Sequence, residues 1–207
     1  MKGEVESDEI YITAGCKGNN HSRPAHRAPR RRGFKYKRGR GTYETDKTPI
    51  LGLASREGDI YMQTVRNVKT ETIRPIIETV VAPHSNMYTD DYSIYNFLDR
   101  SDNYTRKIVC HSKGEYAIAL NEEGTVIAHT NTQEGIWSLL RPWIRPHRGI
   151  NKKYLPLYIA PCEYFLRNRD MTPAQQIRRV IHSTVSFTGY LVKEAYKSKI
   201  LLPLCSV

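Results

Sequence analysis

Cysteine is scarce and scattered. The chain has four, Cys16, Cys110, Cys162 and Cys205, and no two form a CxxC pair. This spacing points to neither a zinc ribbon nor a disulfide framework. A reduced, intracellular and by default cytoplasmic protein is expected. Long apolar runs are missing too, and none approaches the roughly 20 residues of a membrane span. Met1 to Glu9 is acidic and has no apolar stretch, so no signal peptide is expected. Acidic residues are themselves in the minority. Asp and Glu number 21 against 32 Lys and Arg, a formal net charge of +11. Such an excess suits a polyanionic partner: DNA, RNA or an acidic membrane surface.

What is present suits one sizeable folded core. The 207 residues are 39 % hydrophobic and 26 % charged, which excludes a disordered chain. Ile10 to Ile12 reads as a short strand, with Asp8 just ahead of it. From Lys17 to Lys47 the chain is basic, glycine-rich and nearly free of aliphatic residues. Phe34, Tyr36 and Tyr43 are interleaved, and the segment reads as a loop. Pro49 to Ala54 reads as a buried strand. Asp59 to Val65 is its hairpin partner across a turn at Glu57-Gly58. Ile73, Ile76, Ile77, Val80 and Val81 recur at helical spacing. Thr70 and Thr72 are candidate caps for that helix, with Pro75 in or near its first turn.

Asn86 to Thr89 reads as a strand closing on Asp90-Asp91. Tyr92 to Leu98 suits a short helix, Arg106 to His111 is another apolar run, and 115–129 is ambiguous. Asn131 opens a helix carrying Ile136, Trp137, Leu139, Leu140 and Trp143, with Pro142 as a candidate kink. Tyr154 to Phe165 is a second apolar stretch, helical or irregular. Thr172 to Tyr196 reads as a helical tail. Three strands, a helix, a strand, a helix and another strand predict an α/β fold with a mixed sheet. An RNase H-like fold has this order: three antiparallel strands, then parallel strands joined through helices. Other mixed sheets share it.

The chemistry rests on acidic residues at element ends. Asp8 stands at one strand and Asp90 at the end of another. Asn131 and Glu134 lie on the first turn of the late helix. Metal-dependent phosphoryl transfer needs hard oxygen ligands converging from separate elements on one or two magnesium ions. Taken singly, each such residue serves equally as a cap or a solvated charge. Asp90-Asp91-Tyr92 also suits an ordinary turn.

Five segments, in order, resemble the DDE transposases of insertion sequences, in their ISXO2-like branch. They are Val5-Glu6-Ser7-Asp8-Glu9-Ile10-Tyr11, Lys47-Thr48-Pro49-Ile50-Leu51-Gly52, Tyr88-Thr89-Asp90-Asp91-Tyr92, His111-Ser112-Lys113-Gly114-Glu115-Tyr116, and His129 through Leu140. The resemblance covers roughly residues 3 to 168. It implies an RNase H-like catalytic core, Mg2+ or Mn2+, DNA as partner (transposon ends and target) and a homo-oligomer. It matches Asp8 and Asp90 to the first two catalytic aspartates. For the third position Asn131 and Glu134 both stand. Glu134 carries the charge a magnesium ligand needs, whereas Asn131 offers a carbonyl or caps the helix. Arg141, seven positions after Glu134, matches a basic residue that is usually lysine and suits a phosphate contact.

Other residues keep two readings. His111 is either a DNA contact beside the site or a structural histidine. Trp137 packs in the core or stacks on a flipped base. Arg30, Arg31, Arg32, Lys35, Lys37, Arg38 and Arg40 of the basic loop suit DNA phosphates, or only a solvated surface. The family's usual N-terminal zinc ribbon does not precede Asp8. The expected organisation is therefore a catalytic domain over 1–168, including the loop 17–47, and a helical tail over 169–207. A truncated gene, a separate reading frame or a decayed copy would each give that organisation. Three functions follow: an active strand-transferase, a silent DNA-binding remnant or regulator, and an RNase H-like nuclease unconnected with transposition.

Overall fold

The computed structural model describes residues 1–15, 47–109, 118–120, 126–128 and 131–198. It divides into two compact units, Met1–Arg167 and Asn168–Val207. In the first, a five-stranded sheet has the order β3-β2-β1-β4-β5. Its strands are β1 (Glu4–Thr13), β2 (Lys47–Ser55), β3 (Ile60–Thr64), β4 (Ser85–Thr89) and β5 (Tyr104–Ile108). β1 and β3 both pair antiparallel with β2. β4 joins β1 in parallel, and β5 joins β4 in parallel. This mixed α/β sheet is the RNase H-like arrangement. A separate hairpin joins β6 (Ile118–Leu120) to β7 (Val126–Ala128).

β1 is the centre of the sheet, and it differs from the sequence expectation. Asp8 lies inside this strand and does not precede it. The strand begins at Glu4 because β4 supplies ladder partners for Glu4 to Glu6 and β2 for Val5 onward. The acidic alternation of Glu4, Glu6 and Asp8 hid that extent, since carboxylates rarely mark a buried strand.

The two faces of the sheet carry separate cores. Helix α1 (Thr70–Val80) buries Ile73 and Ile77, and these pack with Val5, Leu51, Leu53, Met87 and Tyr95. Neither candidate threonine caps α1. The residue ahead of the helix is Lys69, without a side-chain cap. Thr70 instead donates to the Ile94 carbonyl and Thr72 to Asn67 Oδ1. On the opposite face, α2 (Asn131–Ile144) and α3 (Leu155–Arg167) place Ile136, Trp137, Leu140, Leu155, Ile159 and Cys162 against Ile10, Ile50 and Met62. Leu139 and Trp143, on the other side of α2, are exposed. Residues 92–98 form no helix proper but 3₁₀ turns at Ser93–Tyr95 and Leu98–Arg100. In the second unit, α4 (Pro173–Ser198) opens with a capping box. Thr172 N–H donates to Gln175 Oε1 at 2.8 Å, and Gln175 N–H donates to Thr172 Oγ1 at 3.4 Å.

α3 also protects the sheet edge. Glu163 Oε2 accepts the Met62 backbone N–H at 2.9 Å, a donor that an edge strand would otherwise show to another chain. Burial pushes the Glu163 carboxyl above its ordinary value, with the Met62 N–H and Arg167 opposing. A carboxyl raised on folding gives stability that is full below its unfolded pKa. That stability is lost as pH rises through the folded pKa. Thermal melts between roughly pH 4 and 7 check this. Glu163→Gln keeps an acceptor for Met62, and its melting temperature should gain on the parent's as pH rises. An unchanged difference would show that Glu163 ionises without cost.

Candidate active site

The parallel register of β1 and β4 builds the site. Glu4 faces Asn86, Val5 faces Met87 and Glu6 faces Tyr88. Carried two residues further, the same offset brings Asp8 level with Asp90, just past the end of β4. β1 sends Glu6, Asp8 and Ile10 to the α2 face, and Val5, Ser7 and Glu9 to the α1 face. The buried phenol of Tyr95 senses the carboxylates. It is held well above its ordinary pKa, by burial first and then by Glu9. Asp8 and Asp90 push the same way, while the hydrogen bond from Ser7 opposes them.

Asp8 is oriented from α2. Trp137 is 3 % exposed, and its indole N–H donates to Asp8 Oδ2 at 2.8 Å. Trp137 therefore packs in the core and also holds a carboxylate. One turn earlier, Gln133 N–H donates to Glu6 Oε2 at 2.9 Å. The buried Glu6 carboxylate thus sits at the N-terminus of α2, where the helix dipole favours a negative charge. The two anchors are commensurate. Two residues of strand rise about 6.6 Å and four residues of helix about 6 Å, so α2 lies along β1. Gly52 makes room for this. It pairs with Asp8 across the ladder. A Cβ there would fall 1.9 Å from Gln133 Nε2 and 2.5 Å from Trp137 Cη2.

Asp90 is held from the opposite side of the sheet. Its Oδ1 accepts the Tyr92 N–H at 3.0 Å, which fixes the turn after β4. Arg106 of β5 grips the same turn with a side chain only 1 % exposed. Its guanidinium donates to Thr89 Oγ1 at 2.9 Å, Asn96 Oδ1 at 3.0 Å and Asp99 Oδ2 at 2.8 Å. It also donates to the carbonyls of Asp90 at 3.0 Å and Tyr92 at 3.3 Å. All five donors of the planar fork are used. Tyr95 ties this region to β1: its hydroxyl accepts from Ser7 Oγ at 3.1 Å and donates to Glu9 Oε2 at 3.2 Å.

The remaining site residues are placed as follows. Asn131 is the first residue of α2, and Glu134 lies exposed on its first turn beside the buried Gln133. Among the described residues, no three His, Cys, Asp or Glu side chains stand together as a metal-binding group. Arg141 is exposed one turn beyond Trp137. Arg30, Arg31, Arg32, Lys35, Lys37, Arg38, Arg40 and His111 lie outside the described residues, as does the loop up to residue 46. Lys47, read as the end of that loop, begins β2.

Sequence reasoning missed Glu6, Arg106 and the bond from Trp137 to Asp8. Gly52 in an otherwise apolar strand was the available signal, because a glycine there marks a close approach. Nothing in the sequence marked Arg106 among the many arginines.

Comparison with known proteins gives a family. The ISXO2-like transposase domain matches residues 1–165. An uncharacterized protein in transposable element ISH50 of Halobacterium salinarum is 38 % identical over 160 residues, 77 % of this chain and 50 % of that protein. An uncharacterized transposase-like protein of Haemophilus influenzae is 28 % identical over 134 residues, 65 % of this chain and 94 % of that protein. The chain thus spans about half the length of the first relative. No solved structure matches it.

Two substitutions test the packing. Gly52→Ala should cost about 1–3 kcal/mol by overpacking, read from urea unfolding, because both Trp137 and Gln133 must shift. Arg106→Lys keeps the charge but cannot reach five acceptors. It should cost about 2–4 kcal/mol through the buried groups left unpaired. A loss within 0.5 kcal/mol, about the range of an ordinary surface change, would remove Arg106 from its structural role.

Proposed function

The chain belongs to the ISXO2-like transposase domain family, and on that premise we propose that it is a catalytic domain for metal-dependent DNA strand cleavage and strand transfer. The observation that carries this reading is the parallel register of β1 and β4, which, extended two residues, sets Asp8 level with Asp90 just past the end of β4. A divalent cation fits the donor chemistry of Asp8 and Asp90, whose hard carboxylate oxygens suit such an ion. Asp8 and Asp90 would hold Mg2+ or Mn2+, with Glu134 or Asn131 of α2 as the third member. When bound, the metal supplies Lewis acidity toward the scissile phosphate and toward the water or 3′-hydroxyl that attacks it.

The chain's own residues position this chemistry. Trp137 fixes the orientation of Asp8 through Oδ2. Arg106 immobilises the backbone on either side of Asp91 by gripping two carbonyls, so Asp90 stays in place against the repulsion of Asp8. Glu6 anchors the start of α2, and with it Asn131 and Glu134. Arg141 offers a permanent positive charge to a phosphate oxygen. Such preorganisation is what transition-state stabilisation requires of a rigid site.

Supercoiled plasmid tests the proposal directly. Protein with magnesium or manganese should nick it and join pre-cut element ends to a target. Asp8→Asn and Asp90→Asn should each reduce both reactions to background, with melting temperatures near the parent's. Variants that cut as well as the parent would overturn the proposal. Salt-sensitive DNA binding without cleavage by the parent protein would instead identify a silent remnant.

A further inference from the structure

We infer that a basic ridge formed by Arg145, Arg148 and Lys153, continuing from Arg141, holds the phosphate backbone of double-stranded DNA beyond the carboxylates. The inference rests on the transposase reading for its polymer, but not on catalysis.

The chain carries no Asp or Glu between Glu134 and Glu163. Other arginines of this unit hold carboxylates: Arg56 with Glu4, Arg74 with Glu78, Arg106 with Asp99 and Arg167 with Asp59. Arg141, Arg145, Arg148 and Lys153 are exposed, and none has an acidic partner among the described residues. A row of like charges left unneutralised costs free energy unless a polyanion lies along it.

The row is aligned. Trp137, which holds Asp8, is followed at steps of four, four and three by Arg141, Arg145 and Arg148. The two steps of four keep one side of α2 and carry it into the 3₁₀ turn Arg145–His147, and Arg148 closes that turn as its C-cap. The chain then turns back on itself. Arg148 and Gly149 take φ of 43° and 82°, the left-handed region. The return docks on the end of β1: Gly15 N–H donates to the Ile150 carbonyl at 2.7 Å, and Gly15 bridges Asn151. A Cβ on Gly15 would fall 2.0 Å from the Gly149 oxygen, so the contact requires glycine. Asn151 Oδ1 accepts the Lys153 N–H at 2.9 Å, which fixes the turn that carries Lys153.

The ridge therefore has two ends. One is a helical turn past the Trp137–Asp8 bond. The other is at Gly15, two residues past the end of β1 and seven beyond Asp8, at most about 23 Å away. A duplex advances about 3.4 Å per base pair, so the ridge reaches at most about seven base pairs to one side of a phosphate held at Asp8. In the chain, Gly15 stands two residues before the basic stretch that starts at Lys17.

Anisotropy with a labelled 30-base-pair duplex in EDTA, across a salt series, separates binding from chemistry. Each phosphate contact contributes about 0.9 to the slope of log affinity against log salt. Arg145→Gln, Arg148→Gln and Lys153→Gln should each lower the slope by about that amount. Combined they should lower it by about 2.7, with melting temperatures kept. Arg100→Gln removes the same charge on the α1 side and should leave the slope unchanged. The proposal is overturned if the triple variant keeps the parental slope, or if Arg100→Gln lowers it as much as Arg145→Gln. Ridge dependence on single-stranded RNA but not on the duplex would also overturn it. Ridge-dependent binding without metal-dependent nicking would sink the catalytic reading and leave this one standing.

Discussion

A central strand that carries four carboxylates must find a partner for each of them. β1 is hydrogen-bonded on both edges and packed on both faces, yet it bears Glu4, Glu6, Asp8 and Glu9 within six residues. Taking a carboxylate out of water costs several kcal/mol unless donors replace the lost hydration. Each side chain therefore recruits a different part of the chain. Glu4 takes Arg56 and the hydroxyl of Tyr88. Glu6 takes the start of α2, Asp8 the indole of Trp137, and Glu9 the phenol of Tyr95. The apolar cores supply most of the burial energy, but these four contacts decide which segment lies where.

The two faces divide the work. On the α2 face, Glu6 and Asp8 fix a helix. On the α1 face, Tyr95 and Arg106 fix the turn that ends in Asp90. The second clamp is needed because Asp90 lies beyond the paired part of β4, where the ladder no longer constrains the backbone. An arginine suits that task better than an apolar group. Its fork adds a charged donor to two carbonyls that also accept from Thr89 Oγ1 and the Tyr95 N–H, so one side chain ties several points of the turn together. Tyr88 shows the same economy elsewhere. Its hydroxyl donates to Glu4, and burial, with Glu4 adding, raises its pKa to about 12. The proton therefore stays on the phenol throughout the working range.

What the sequence made legible followed from period and motif. The isoleucines of α1 stand at helical spacing because one face packs on the sheet, and Pro49 to Ala54 reads as a strand because it is buried on both sides. Asp8 and Asp90 were visible as a pair through their surrounding motifs. The length of β1 was not, because hydrophobic alternation is the usual sign of a strand and here carboxylates occupy one phase of it. Thr70 and Thr72 looked like caps, since capping is judged locally. Tertiary acceptors, the Ile94 carbonyl and Asn67, took their hydroxyls instead. The contacts of Arg106 and Trp137 join residues 7 to 129 positions apart, beyond the reach of any local pattern.

The same geometry fixes the direction in which Glu134, one candidate for the third member of the proposed site, leaves α2. Gln133 and Trp137 pin α2 at two points a turn apart, and both points lie on β1. Two such points fix how far the helix is advanced and how it is rotated. Successive residues of a helix turn by about 100°, so Glu134 projects about 100° round from Gln133. Trp137 projects about 40° round in the same sense, which puts Glu134 on the Trp137 side. Glu134 therefore leaves the helix nearer the direction from which Trp137 reaches Asp8. A rotation of α2 that carried it away would break the hydrogen bonds to both Glu6 and Asp8, so the two anchors fix the side of the helix on which this carboxylate stands.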